Sequence, residues 1–593
     1  MVHQRPAPDA GALPRGARVS HRAKAALVLA ALMLVVYGRS LFAGFVYDDW
    51  LHVVDEPVPE SFSQLARIFA EPMSPLVPYY RPIPRLLNVA QKWLHGANPL
   101  PFHALNLALG FACAWALRAL LTRPALGVSA RASSAAALLL AVHPIASECV
   151  IPIASGRETL LPTLFTLLAL GGYLRGDSRG RALAVAWFAL GMLSKEQAIA
   201  TPLLLGLADA LRIAPDPPRG PRAWLARYLP HAAVVTAYVA LRSVAVPAGA
   251  NPELALLSRP EGPLLSLLYH VQTTLAPFFA VVYEPTLAVW WSLPRTLFAL
   301  LCASVLTLLA MRRDRGRALW FLALIGLSIA PTANVFVQEP GFAERWGFAA
   351  LAGWAGLGVL AAGARMPRVA RGVAAVALTA FAALTLVRAP AYHTDAAFLA
   401  QWRATNPTSL QAWISTGEAA ERAGDYDGAI AAYDRVLFLA PDTALAHASL
   451  AIALGAQGKL ADAQQHAERA VALDPRDAES WSNLGGLRAQ RGDLAGAITD
   501  YERALALRPE LASAHNNLAL ALRARGDLAG ARAHFERALG AQPQLAEAHA
   551  NLGSLLAQLG DRAGAEHHLT RALELDPALA PARAALDQLQ RAR

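Results

Sequence analysis

The chain has 593 residues, of which 55% are apolar and only 16% are charged, and its mean hydropathy is +0.34. This composition excludes an ordinary soluble enzyme and predicts a membrane protein. The net charge of +10 comes mainly from arginines in short loops, which indicates membrane orientation rather than binding of nucleic acid. Cys113, Cys149 and Cys302 lie in apolar segments and have no disulfide or zinc spacing.

The predicted elements begin with a basic cytoplasmic tail, residues 1–24. An apolar run from Ala25 to Ala43 follows without a convincing cleavage site, so we interpret it as an uncleaved anchor. Ten later apolar segments predict further crossings, at 103–121, 133–151, 158–174, 182–194, 197–212, 229–248, 296–311, 318–336, 345–363 and 373–388. Segment 262–283 is predicted not to cross, because a crossing there would place the basic loop 312–317 outside.

Eleven crossings would form a membrane domain at 25–388, followed by a linker at 389–406. With the N-terminus in the cytoplasm and an odd number of crossings, the C-terminal domain would lie outside an inner membrane, in the periplasm if the host is a diderm bacterium. The same topology places a set of charged residues outside, several of them in the loop 44–102: Asp48, Asp49, Arg81, Arg157, Glu158, Lys195, Glu196, Glu284, Glu344 and Arg345. Charges at helix ends on one face predict a shared pocket, although each could singly be a solvated loop residue.

A period of 34 residues runs through the C-terminal part, 407–593. Prolines and glycines recur at this spacing: Pro441, Pro475, Pro509, Pro543 and Pro577, and Gly424, Gly458, Gly492, Gly526 and Gly560. This is the tetratricopeptide pattern, in which glycine ends the first helix of a hairpin and proline stops the second. We expect five repeats and a closing helix that together form an α-solenoid with a concave groove.

A row of polar residues follows one position of the repeat: Ser415, Ser449, Asn483, Asn517 and Asn551. Amide side chains along the inner face can hydrogen-bond a peptide backbone without reading its sequence. The row therefore favours binding of a polypeptide, and the alternative is a local role for asparagine within each repeat.

The order of motifs in the membrane part resembles that of a known family. The motifs are FVYDDW (45–50), YYRPIPRLLNVAQ (79–91), PFHALNLAL (101–109), AVHPIASECVIPIASGRETLL (141–161), LSKEQAIATPLLL (193–205) and AERWGF (343–348). The series resembles the transmembrane-and-tetratricopeptide protein O-mannosyltransferases of the GT-C glycosyltransferase superfamily, with Trp346 as a departure. We therefore expect an all-α chain with a bundle of about 11 transmembrane helices, GT-C-like by this resemblance, followed by the tetratricopeptide solenoid.

The resemblance also implies a sugar such as mannose, carried on a polyprenyl phosphate and transferred outside to a hydroxyl of an exported protein. A Ser or Thr hydroxyl is a poor nucleophile, so a carboxylate must accept its proton. Asp48 and Asp49 match the family's acidic pair, and either is the candidate base. The other would orient it, bind the acceptor or hold a divalent metal; no metal or other cofactor is implied.

Cations are needed to stabilise the leaving phosphate, and the candidates are Arg81, Arg157, Lys195 and Arg345. Further pocket candidates are Glu158, Glu196, Glu344 and His143. We favour a structural role for His143, and Lys195 and Glu196 could instead form an internal ion pair.

Two other functions stay open: a membrane scaffold whose repeats recruit envelope proteins, and a GT-C enzyme that acts on a glycan or lipid. The acidic pair and the external cations favour an enzyme over a scaffold. The expected partners are the lipid-linked donor, a polypeptide in the groove and membrane lipid, with no nucleic acid.

Overall fold

The computed structural model describes residues 20–46, 49–54, 56–59, 61–71, 80–246, 262–277, 293–329, 348–363 and 366–591. All regular secondary structure in these ranges is helical, so the prediction of an all-α chain is confirmed. The chain divides into two compact units, which we call the membrane unit (Met1–Pro407) and the repeat array (Thr408–Arg593).

The described helices of the membrane unit are, in chain order, α1 (His21–Tyr37), α2 (Phe62–Arg67), α3 (Pro82–His95), α4 (Pro99–Leu121), α5 (Ala130–Val142), α6 (Pro144–Val150), α7 (Ala154–Tyr173), α8 (Ser178–Ser194), α9 (Thr201–Ala210), α10 (Pro221–Ala245), α11 (Gly262–Leu275), α12 (Leu293–Arg313), α13 (Arg315–Ile329), α14 (Phe348–Ala362), α15 (Arg368–Arg388) and α16 (Asp395–Thr405). Four described segments are long and apolar enough to cross a membrane: His21–Phe42, Pro99–Leu121, Leu293–Arg313 and Arg368–Tyr392. The prediction of a membrane protein is confirmed, and the number of eleven crossings stays a prediction.

The predicted crossing at 133–151 is not one continuous helix. It is divided into α5 and α6, which meet at an angle of 65°. Pro144 starts α6; it has no N–H to donate and forces the preceding His143 into an extended conformation, with φ −62° and ψ 138°. The crossing at 133–151 therefore stays a prediction, and the described helices there are bent because of this proline.

Side chains from distant helices satisfy the backbone at this break. The Tyr37 hydroxyl on α1 donates to the carbonyl of Ala141 at 3.0 Å. The Thr385 hydroxyl on α15 donates to the carbonyl of Val142 at 2.7 Å. Non-helical backbone at membrane depth is tolerated only with such partners, so the break is a built feature of the bundle.

The segment predicted as a linker, 389–406, contains helix α16. The hydroxyl of Thr394 caps this helix by accepting the backbone N–H of Ala397 at 3.1 Å. Phe398 and Trp402 on α16 are buried, so apolar packing holds this segment in the membrane unit.

The repeat array consists of five helical hairpins and a closing helix. Their helices are α17 (Leu410–Arg422), α18 (Tyr426–Leu439), α19 (Ala444–Ala456), α20 (Leu460–Leu473), α21 (Ala478–Gln490), α22 (Leu494–Leu507), α23 (Ala512–Arg525), α24 (Leu528–Ala541), α25 (Ala546–Gln558), α26 (Arg562–Leu575) and α27 (Ala580–Arg591). The glycine between the two helices of each hairpin has a φ between 73° and 92°, which explains why glycine recurs there.

Two neighbouring glycines on α21 provide a test of this packing. A Cβ on Gly485 would lie 2.9 Å from the buried Tyr501 ring, whereas a Cβ on Gly486 would have its nearest neighbour at 3.7 Å. We expect Gly485→Ala to destabilise the array by about 1–3 kcal/mol through overpacking. Gly486→Ala should stabilise it by about 0.5–1 kcal/mol, because alanine is the better helix former. Pulse proteolysis of the full chain in urea measures both, and equal signs would contradict the close packing at Gly485.

Three hairpins hold a pair of histidines whose Nδ1 atoms lie 2.9 Å apart. The pairs are His447 and His466, His515 and His534, and His549 and His568. In each pair the first ring also places Nε2 within 3.1 Å of a proline carbonyl, so Nε2 carries a hydrogen and Nδ1 accepts. Each contact therefore forms when both rings are neutral or when the pair carries one added proton. A second proton, which charges both rings, would leave no acceptor at Nδ1 and break the contact.

We expect the three histidine pairs to make the repeat array sensitive to acid. Burial lowers the pKa of five of the rings, those of His466, His515, His534, His549 and His568. A folded-state pKa below the unfolded value gives stability that is present above about pH 6.5 and is lost as the pH falls. Each pair is worth about one hydrogen bond, about 0.5–1.5 kcal/mol.

The third hairpin is an internal control for this effect. It has Trp481 and Asp500 at the two positions, and the Trp481 indole donates to the carbonyl of Pro475 at 3.0 Å. Burial raises the pKa of Asp500 to about 6, so its contribution to stability rises as the pH falls. Hydrogen exchange of the full chain at pH 7.5 and pH 5.5, corrected for intrinsic rates, should show lost protection in the second, fourth and fifth hairpins. Equal loss in the third would contradict the role of histidine.

Candidate functional site

Six of the ten charged residues predicted to share an external pocket are described. Asp48, Glu284, Glu344 and Arg345 lie outside the described residues. Five of the other six are less than a tenth exposed: Asp49, Arg81, Arg157, Glu158 and Lys195. Glu196 is more open, with 39% of its side chain exposed. These charges are therefore mostly buried and not solvated loop residues.

Asp49 is fully buried and ties the first loop to the start of α7. One carboxylate oxygen accepts the backbone N–H groups of Ile153 and Ala154, at 3.0 and 2.7 Å. The other accepts the N–H of Val46 at 3.1 Å. The first N–H groups of a helix have no partner within the helix and carry a partial positive charge, which a carboxylate satisfies. Asp49 thus serves as a cap for α7 that comes from a distant part of the chain.

Arg157 lies one turn into α7 and is enclosed by amide side chains. Its Nε donates to Oδ1 of Asn106 at 3.1 Å, and one Nη donates to Oδ1 of Asn88 at 2.5 Å. The other Nη donates to the side chain of Gln91, and the guanidinium lies 5.2 Å from the centre of the Phe102 ring. These partners come from α3 and α4, so Arg157 holds three helices together.

Arg81 joins two acidic residues from different segments. It forms an ion pair with Glu158 on α7, and its Nε lies 3.6 Å from Oε2 of Glu196. Glu196 follows the buried Lys195, which ends α8. The structure therefore brings together Arg81, Glu158 and Glu196.

Sequence reasoning missed a polar stripe on α3 that holds the first loop. Arg85 pairs with Glu56 at 2.8 Å, and Lys92 donates to the carbonyl of Val54 at 2.6 Å. Together with Asn88 and Arg81, these residues have spacings of three and four, which place them on one face of a helix. This spacing of polar residues, with Gln91 next to Lys92 in the sequence, could have predicted the stripe.

His143 has a structural environment. Its Nδ1 accepts the N–H of Ile145 at 3.2 Å, and its Nε2 contacts the carbonyl of Thr274 at 2.9 Å. Its ring packs edge-on against the Phe381 ring, with 4.7 Å between the two ring centres. These contacts agree with the structural interpretation, and none of them involves the charged cluster around Arg81.

An apolar cavity of about 630 Å³ lies beside His143. Its lining comes from α5, α11, α12, α14 and α15 and includes Leu140, Thr274, Trp354 and Phe381. A cavity of this size with apolar walls suits a hydrocarbon chain. In the ranges given above, no three His, Cys, Asp or Glu side chains converge as metal ligands would.

The predicted row in the repeat array is partly paired within the array. Asn483, Asn517 and Asn551 are half-buried on the first helices of their hairpins. Asn551 donates to Oδ1 of Asn516 at 3.0 Å, and Asn516 donates to Oδ1 of Asn517 at 3.3 Å. Ser415 is buried and Ser449 is half-buried. The local role of these amides is therefore real in the last two hairpins.

The described structure is that of an α-helical membrane protein with a C-terminal tetratricopeptide array. Family models for tetratricopeptide repeats match residues 368–444, 485–523, 511–540 and 546–579. Among solved structures, that of MamA protein is 27% identical and covers 28% of this chain and 92% of its own, with a TM-score of 0.25.

Curated relatives come from one family. Mouse protein O-mannosyl-transferase TMTC3 is 30% identical over 192 residues, which cover 30% of this chain and 20% of the relative. Mouse TMTC1 is 34% identical over 184 residues, 30% of this chain and 18% of the relative. The similarity to the TMTC protein O-mannosyl-transferases lies in the repeat region. The chain spans about a fifth of the length of these two proteins.

Proposed function

We propose that this protein is a membrane glycosyltransferase that transfers a sugar from a polyprenyl-phosphate donor to Ser and Thr hydroxyls of exported polypeptides. The observation that carries the proposal is the buried charged cluster of Asp49, Arg81, Arg157 and Glu158. Ionisable groups inside a membrane protein are costly and mark functional sites. The similar proteins TMTC3 and TMTC1 are named protein O-mannosyl-transferases, which supports the proposal of sugar transfer. Mannose is therefore the first sugar to test.

In the proposed step the acceptor oxygen attacks the anomeric carbon while its proton moves to a carboxylate. The bond from that carbon to the phosphate oxygen breaks, and its electron pair leaves with the lipid phosphate, which inverts the anomeric configuration. We assign proton acceptance to Asp48, because both oxygens of Asp49 already accept backbone N–H groups. Asp49 is then a positioning residue that fixes the loop carrying Asp48.

Cations near the cluster would stabilise the phosphate that leaves. Arg81 and Lys195 are the described candidates, and Arg345 is a third from the sequence. Arg157 fits this role less well, because its guanidinium is already bound by three amide side chains. The apolar cavity beside His143 offers room for part of the polyprenyl chain.

In the proposed orientation the charged cluster faces the outside of an inner membrane. The chain crosses that membrane eleven times, as a GT-C-like bundle, before the external repeat array begins. The repeat array would bind the acceptor polypeptide. This part of the proposal is supported by the tetratricopeptide repeats, which commonly bind peptides in their groove.

The test uses the full chain in reconstituted vesicles with radiolabelled polyprenyl-phosphate sugars and a Ser- and Thr-bearing envelope protein. Asp48→Asn should lower transfer at least about a hundredfold, the usual contribution of a general base. The matched control is Glu71→Gln, an exposed acid in the same loop, which should transfer normally.

Other outcomes decide between the alternatives. Transfer to lipid or glycan instead of protein would indicate a GT-C enzyme with a different acceptor. Failure of the wild-type chain to use any donor in a broad panel would favour the scaffold. Normal transfer by Asp48→Asn with loss in Glu196→Gln would move the base to Glu196.

A further inference from the structure

A narrow crevice at one end of the membrane unit is lined by cations and apolar side chains. It lies where the start of α1, the end of α4 and the start of α5 meet, and its volume is about 230 Å³. Lys24, Arg118 and Ser134 line it together with Ala25, Val28, Leu29, Ala137 and Leu138. It is separated from the loop that holds Asp49 by roughly 20 Å, the length of α1 between Lys24 and Tyr37.

Arg118 in this crevice is a buried cation that contacts a hydroxyl and an aromatic ring. It is 8% exposed, its Nε donates to the hydroxyl of Ser134 at 3.0 Å, and its guanidinium lies 4.8 Å from the centre of the Trp115 ring. No carboxylate pairs with it among the residues described. By contrast, Arg81 pairs with Glu158, and the buried Arg388 lies 3.4 Å from Glu148. A buried charge left uncompensated is costly, so an anion is expected at Arg118.

Further positive charge surrounds the same crevice. Lys24 lines it directly, and Arg22 is close enough to act electrostatically on Arg118. The lining residues that the structure describes include cations and a hydroxyl but no acid. The matching ligand therefore has a negative group beside an apolar chain. A zwitterionic lipid would bring an ammonium group that these cations repel.

We propose that this crevice binds the phosphodiester headgroup of an anionic glycerophospholipid such as phosphatidylglycerol. The phosphate oxygens would accept from Arg118 and Lys24, and one acyl chain would lie along the wall formed by Val28, Leu29 and Leu138. Basic pockets between membrane helices bind anionic headgroups in this way. The site connects α1, α4 and α5 and does not depend on the proposed sugar transfer.

The experiment is native mass spectrometry of the full chain in detergent, titrated with phosphatidylglycerol or with phosphatidylcholine of the same acyl chains. The wild-type chain should bind phosphatidylglycerol at least about fivefold more tightly, and Arg118→Gln and Lys24→Gln should each weaken that binding about fivefold. Arg118→Lys keeps the charge and should retain most of the preference. Arg131→Gln is the matched control, because Arg131 is an exposed cation on α5 that does not line the crevice.

Three results would overturn the proposal. One is an unchanged preference for phosphatidylglycerol in both Arg118→Gln and Lys24→Gln. A second is an equal loss of preference in Arg131→Gln, which would indicate general surface charge. A third is competition by inorganic phosphate at the lipid's own concentration, which would indicate a site for a free anion. The thermal midpoint of each variant without lipid distinguishes lost binding from lost folding.

Discussion

Replacement of Arg157 by leucine is expected to lower the free energy of unfolding of the membrane unit by about 3–5 kcal/mol. Leucine fills part of the volume but leaves the side-chain oxygens of Asn88, Asn106 and Gln91 buried without their donor. Arg157→Lys should cost less, because one ammonium group keeps the charge but cannot satisfy three amides in fixed directions.

Buried thiols make this measurement direct. Cys113 and Cys149 are fully buried in the membrane unit and become reactive only when it opens. Thermal unfolding in detergent, followed by thiol labelling in a Cys302→Ser background, therefore reports on this unit. Arg222→Leu, at an exposed cation on α10, is the control and should not change the midpoint. An unchanged midpoint for Arg157→Leu would show that the amides find other donors.

Replacement of Asp49 by alanine is expected to destabilise the same unit by about 2–4 kcal/mol. The change leaves the buried N–H groups of Val46, Ile153 and Ala154 without the acceptor they share. Asp49→Asn should also destabilise, because its NH₂ group would face an N–H group where an oxygen is needed.

Asp48→Ala is the comparison for Asp49, and the same labelling experiment serves for both. If Asp48 is the reacting group and Asp49 the positioning residue, Asp48→Ala should abolish transfer and leave the unfolding midpoint unchanged. Asp49→Ala should lower both. The reverse pattern of midpoints would exchange the two roles.

The repeat array was predictable from the sequence almost to the residue, because its constraints are local. The 34-residue period, the glycine of positive φ and the proline are each fixed within one hairpin. Four of the eleven predicted spans correspond to described helices that are long and apolar enough to cross a membrane, and apolar runs alone predicted these four. The break at Pro144 carried a sequence signal as well, since proline removes a helix hydrogen bond.

The roles within the charged cluster were not predictable in the same way. Asp49 and its partners Ile153 and Ala154 are more than 100 residues apart, and no periodicity specifies that approach. Arg157 has the sequence features of a phosphate ligand, but its amide neighbours come from two other helices. Such assignments depend on tertiary contacts, which composition and spacing do not encode.

The bend between α5 and α6 also constrains the order in which the protein can be made. The carbonyl of Val142 has as its partner the hydroxyl of Thr385, which the ribosome adds 243 residues later. The carbonyl of Ala141 has as its partner Tyr37, which precedes it by 104 residues. While the chain is still growing, one of these two groups is satisfied and the other is not. Until α15 has been made, the carbonyl of Val142 therefore needs another hydrogen-bond donor, such as water.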